Sequence, residues 1–208
     1  MNLKRSQVED AICRSHGARG TARRQLLVRA KRLLDIDRTM RPNRVGGRYA
    51  FFSERKPGTG QEVLFSEYEA FALYAALILA AHGVPHADLV QIFRHLRSEL
   101  EAQHRAILSR PLDPGLDLGQ AVRTKKAVVI EDPLFIALTQ ADAKPVPFST
   151  KSGLTAEILF GNEGWLNFLE SNKGQSITTL ELAMIAQLLH TTLRETEPRR
   201  KGRPQKKT

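Results

Sequence analysis

The chain is 208 residues long, 41% of them hydrophobic, with one cysteine and a formal net charge of +10. That length suits one domain with a sizeable core or two small ones. The lone Cys13 excludes an intrachain disulfide and a metal site built on thiolates, and the longest uninterrupted apolar run, residues 70–81, is well short of the roughly 20 residues that span a bilayer.

The first ten residues, MNLKRSQVED, contain no apolar segment of the kind a secretory signal needs. The expectation is therefore a cytoplasmic protein in a reducing compartment, with no membrane partner. Charge is distributed unevenly: residues 1–62 hold 15 lysines and arginines against 6 carboxylates, 63–197 hold 11 against 16, and 198–208 hold six against none. The basicity sits at the two ends, which points to an anionic polymer as partner rather than to general solubility.

In chain order, SQVEDAICRSHG predicts a helix from Gln7 to about Ser15, with Ser6 and Glu9 in capping-box register. A connection over 17–20 follows, with Thr21 as the next cap. In ARRQLLVRAKRLLD, Ala22, Leu26, Leu27, Ala30, Leu33 and Leu34 share one face of a second helix, and Arg24, Gln25, Arg29, Lys31 and Arg32 fill the other. No acidic residue offsets that face before Asp35. A charged helix face is most often only solvated, but a one-sided one lacking the usual Glu–Lys pairing fits nucleic acid better.

Two helices joined by a glycine-containing turn, the second one basic, are the helix-turn-helix arrangement. Thr21, Arg24, Gln25 and Val28 then stand nearest base edges. Arg29, Lys31 and Arg32 hold phosphates, and Arg23 belongs to the same cationic set.

Glycines at 46–47 and KPGTG bracket two β-forming runs, 49–52 and 63–65, which predicts a β-hairpin. Its basic tip, Arg55 and Lys56, with Arg44 and Arg48 on the approach, would be a wing lying on the DNA backbone; the plainer alternative is a surface loop. Ser66 and Glu69 form another capping box and open AFALYAALILAA, a helix apolar nearly all round and so buried on most sides. After Gly83, VPHADLVQIFRHLRSELEAQHRAIL predicts one long helix with Pro85 near its first turn.

The stretch LFSEYEAFALYAALILAAHGVPHADLVQIF resembles the wing-to-helix portion of MerR-type winged-helix domains, and the resemblance extends over residues 6–108. It implies a winged helix-turn-helix that binds double-stranded DNA, and a homodimer formed through a long helix after the winged domain. Leu89, Phe93, Leu96, Leu100, Gln103 and Ile107 have coiled-coil spacing and would supply that seam; the same stripe could equally pack on the apolar helix of its own chain.

Pro111, Asp113, Pro114 and Gly115 read as a linker. KAVVIE and LFIALTQ predict strands, and AEILFGNEGWLNFLES two more joined over 161–164. ITTLELAMIAQLLHTTLRE predicts a helix with Thr178 and Glu181 in capping-box register, a second possible dimer surface. Trp165 and Phe168 suit a core, and nothing here names a small-molecule effector. GARGT lacks the Gly-Lys-Ser/Thr of a phosphate loop, there is no His-Glu-x-x-His, and the six histidines are scattered, so neither an enzyme nor a cofactor is expected.

The chain closes on RRKGRPQKKT, which resembles an AT-hook with Lys201-Gly202-Arg203-Pro204 at its core, lysine standing for the first arginine. The resemblance implies insertion into a narrow A·T minor groove, with Arg199 and Arg200 on phosphates; a disordered solubilising tail is the plainer alternative. The expected fold class is α+β: a mainly helical winged helix-turn-helix domain over 1–110, a small α+β domain for dimerisation or sensing over 111–197, and a disordered basic tail over 198–208. The expected function is that of a sequence-specific DNA-binding protein, a nucleoid-associated transcriptional regulator of bacterial type. An architectural or excisionase-like protein, and an adaptor binding RNA or acidic protein, stay open as alternatives.

Overall fold

The computed structural model describes residues 2–40, 49–53, 63–110, 133–140 and 148–196. The hairpin tip, the linker at 111–115, the KAVVIE strand and the basic tail lie outside them. Among the described residues the fold is α+β, with seven helices and two small antiparallel sheets. No helix among them is long and apolar enough to cross a membrane.

β1 (Leu3–Lys4) leads directly into α1 (Arg5–Ser15). This helix starts two residues before the expected position, because Gln7 Oε1 accepts the Lys4 backbone N–H at 3.0 Å, and Glu9 pairs with Arg5 at 2.6 Å instead of serving Ser6. Gly17, at φ +67, then reverses the chain. The Ala18 N–H returns to the Cys13 carbonyl at 2.9 Å, a turn in which any side chain would be strained. α2 (Gly20–Thr39) follows, with Arg19 as N-cap and Thr21 inside the first turn.

β2 (Leu64–Phe65) pairs with β1, Leu3 opposite Phe65, and not with 49–52 as the hairpin expectation had it. Residues 49–52 form no strand, because buried side chains take over their backbone groups. The Asp37 carboxylate accepts the Ala50 and Phe51 N–H groups at 3.0 and 2.9 Å, and Arg97 donates to the carbonyls of Tyr49 and Phe52. A backbone satisfied in this way has no need of a neighbouring strand.

α3 (Glu67–Ala81) is capped as its sequence predicts: Ser66 Oγ accepts the Glu69 N–H at 3.1 Å, and Glu69 returns a carboxylate oxygen to the Ser66 N–H at 2.8 Å. Eleven of its 15 residues are buried, as expected of a helix apolar all round. The single long helix expected after it is two helices, α4 (His86–His95) and α5 (Arg97–Ser109), broken at Leu96, whose ψ is 0°. Leu89, Phe93, Leu96 and Leu100 of the expected coiled-coil seam are buried inside the chain's own core.

Beyond this, β3 (Leu134–Gln140) is the centre of a three-stranded antiparallel sheet, between β4 (Leu154–Phe160) and β5 (Ile177–Glu181). Alternation along β3 splits its side chains: Leu134, Ile136 and Leu138 join the main core, whereas Phe135 and Ala137 meet Leu159, Trp165, Phe168 and Ile177. The latter cluster is covered by α6 (Gly161–Ser171), which corrects the reading of WLNFLES as a strand joined to the preceding one over 161–164. Trp165 and Phe168, three apart, put both rings on one helical face against the sheet, 5.4 Å separating the rings of Phe135 and Trp165.

The last expected helix is shorter than predicted. Its first residues, β-branched Ile177, Thr178 and Thr179, form β5, and α7 (Ala183–Glu195) begins where the Glu181 carboxylate accepts the N–H groups of Ala183 and Met184 at 2.7 and 2.9 Å. Burial raises the Glu181 pKa against these bonds. α7 then packs on α1, α3 and α5. Ser15 bonds Thr192 at 3.1 Å, Gln187 reaches the Ile107 carbonyl at 2.8 Å, and His190 meets Glu67 at 3.0 Å. The expected division at residue 110 therefore does not divide the core, which residues from both sides build.

Candidate nucleic-acid interface

α2 acquires its exposed face from its own periodicity. Leu26, Ala30, Leu33, Leu34 and Asp37 are buried toward the core, while Thr21, Arg24, Gln25, Val28, Lys31 and Arg32 recur every three or four residues and are exposed. Arg29, half-buried, stands at the edge of this stripe. Ala22, expected on the apolar face, is exposed, because that face is buried only from Leu26 onward. Among the described residues no carboxylate pairs with Arg24, Arg29, Lys31 or Arg32, so the stripe presents net positive charge without an internal counterion.

Arg23 has a different position from the other candidates. Its guanidinium donates to Asp10 at 3.0 Å, and Arg14 takes the other carboxylate oxygen at 2.8 Å. Asp10 is buried, so this pair braces the first turn of α2 against α1 and sets the angle at which the exposed face is presented. The remaining candidates, Arg44, Arg48, Arg55, Lys56, Arg199, Arg200, Lys201, Gly202, Arg203 and Pro204, lie outside the described residues.

The other end of α2 is held by a buried ionic network that sequence reasoning missed. Asp37, fully buried, accepts from Arg94 Nε at 2.8 Å, and Arg94 also bonds the Met40 carbonyl at 3.1 Å. Arg97 bonds Glu69 at 3.0 Å and lies 5.3 Å from the Tyr68 ring centroid. Losing one partner of such a pair leaves a buried charge uncompensated, at a cost of about 3–5 kcal/mol. One signal was available: Asp37 continues the spacing of Leu26, Ala30 and Leu33, and an acid on an apolar face requires a cation opposite it.

His86, in the first turn of α4, feels the field of this stripe. Burial, then the positive charges of Arg32 and Arg29, push its imidazole below the ordinary histidine range, and its Nε2 is enclosed without a hydrogen-bond partner among the described residues. The first turn of α4 thus stands close to Arg29 and Arg32 of α2.

Among the described residues no group of three or more His, Cys, Asp or Glu side chains could hold a metal ion. Burial pushes the Cys13 thiol up, away from reactive thiolate character. His104 is buried against Phe71, ring centroids 4.8 Å apart, and its pKa is lowered to about 4. No protein-family model matches the chain, and no curated protein is similar to it.

Proposed function

We propose that the chain is a DNA-binding protein, a transcriptional regulator, in which α1 and α2 act as a helix-turn-helix and α2 enters the major groove. The observation that carries this reading is the exposed stripe of α2, whose arginines and lysine have no carboxylate partners among the described residues. A solvated helix gains from opposite charges one turn apart; this one has no acid on its face before Asp35, and a polyphosphate would supply the missing charge. One further feature supports it. The Arg23–Asp10–Arg14 brace holds α2 at a fixed angle to α1.

The test is the variant carrying Arg24→Ala, Arg29→Ala and Arg32→Ala, compared with the parent by circular dichroism and by gel shift on genomic fragments at several salt concentrations. The fold should be retained and affinity should fall by orders of magnitude. The slope of log K against log salt should flatten by about 0.9 for each phosphate no longer neutralised. A folded triple variant that binds as tightly as the parent would remove α2 from the interface.

A further inference from the structure

The stripe on α2 contains one residue that electrostatics does not account for. Val28 is 49% exposed and sits in the middle of the cationic face, with Arg24 and Gln25 one turn before it and Lys31 and Arg32 one turn after it, all four exposed. Folding offers no reason for it. A β-branched residue at a solvent-facing helix position is less favourable than alanine, leucine, lysine or glutamate, and Val28 is not among the residues that pack against the core. Scattered apolar surface residues are ordinary; what distinguishes Val28 is that cations with no carboxylate partner among the described residues flank it on both sides along the helix. A partner seated there must offer phosphates around the rim and one small apolar group at the centre.

Resting on the reading of α2 as a major-groove helix, we propose that Val28 is a specificity-determining residue whose methyl groups pack on the 5-methyl group of a thymine. In the major groove thymine alone presents a methyl, so the contact selects DNA over RNA twice: uracil lacks the group, and the A-form major groove is too narrow to admit the helix. Spacing narrows the position. Gln25 and Val28 are about 4.5 Å apart along the helix axis, little more than one base-pair step of roughly 3.4 Å. The thymine therefore lies within one or two base pairs of the base met by Gln25, whose amide suits adenine.

The experiment begins with selection of bound duplexes from a random pool by the full chain. Each thymine of the selected site is then replaced singly by deoxyuridine, which deletes only the methyl. Affinities of the parent and of Val28→Ala are measured on every duplex. The parent should lose about fourfold at one thymine of the site, the factor for one methyl group taken out of water. Val28→Ala should lose a similar factor on the thymine duplex and be indifferent to deoxyuridine at that position. The inference is overturned if the parent tolerates deoxyuridine everywhere, or if Val28→Ala retains the full penalty. If the folded chain enriches no duplex at all, the DNA-binding reading itself fails, an outcome distinct from either of those.

Discussion

Helices α2 and α3 lie against each other and are put to opposite uses. α3 buries eleven of 15 residues, including Phe71, Leu73, Leu77 and Leu79, whereas α2 buries five of 20 and leaves a full stripe in solvent. The chain around α3 is arranged for its burial: a reciprocal cap at Ser66 and Glu69, an ion pair from Glu69 to Arg97, and Gly83 at φ +90 to turn the chain at the end. α2 is fixed at its two ends, by Asp10 with Arg23 and by Asp37 with Arg94, with its outer surface between them unused by the fold. The lesson is a division of labour, in which substitutions along α3 register as stability and the outer face of α2 is left free of the fold, as the proposed binding role requires.

The largest effect should come from Phe71→Ala, where deleting a buried ring that also stacks on His104 costs about 3–5 kcal/mol by urea denaturation. A loss below about 1 kcal/mol would end the claim that α3 carries the core. Next is the pH dependence of His104. Burial holds its pKa at about 4, with Glu67 raising and His190 lowering it, so the folded chain keeps this ring neutral where the unfolded chain would protonate it. Stability attached to His104 is thus complete above its unfolded value near 6.5 and is lost as pH falls toward 4, by up to about 3 kcal/mol. The denaturation midpoint of His104→Gln should fall less steeply over that window; equal slopes would show that other groups govern acid unfolding. The smallest effect is the stability change of the α2 triple arginine variant, expected within about 0.5 kcal/mol because none of the three side chains makes a hydrogen bond or ion pair among the described residues, and Arg24 and Arg32 are exposed. A drop of several kcal/mol would dissolve the contrast between the two helices.

What the sequence revealed of this contrast was whatever is local. The Ser66–Glu69 cap spans three residues, and the two faces of α2 follow from its own period of 3.6, so both could be read without knowing the fold. The Asp37–Arg94 pair joins residues 57 apart, and no local pattern foretells which arginine answers a buried acid. The seam at 89–107 shows the same limit from the other side: coiled-coil spacing specifies an apolar stripe, and here the stripe is satisfied within its own chain, with a break at Leu96. α6 was obscure because Phe160, Trp165 and Phe168 suit strand and helix alike, and only packing against Phe135 decides. Of the candidate interface, α2 was legible, but the diversion of Arg23 into a brace was not, since Asp10 lies across a turn.

The return of α7 to the first helices has a consequence for how the protein is made. Gln7 bonds the carbonyl of Thr196 at 3.4 Å, and Leu189 and Leu193 belong to the same core as Val8 and Ile12. During synthesis the amino-terminal helices leave the ribosome first, yet their core stays open until residue 196 has followed. Helix α2 is thus assembled early and seated late, and a nascent chain halted anywhere before α7 presents apolar surface of α1, α3 and α5 to whatever chaperone stands at the exit.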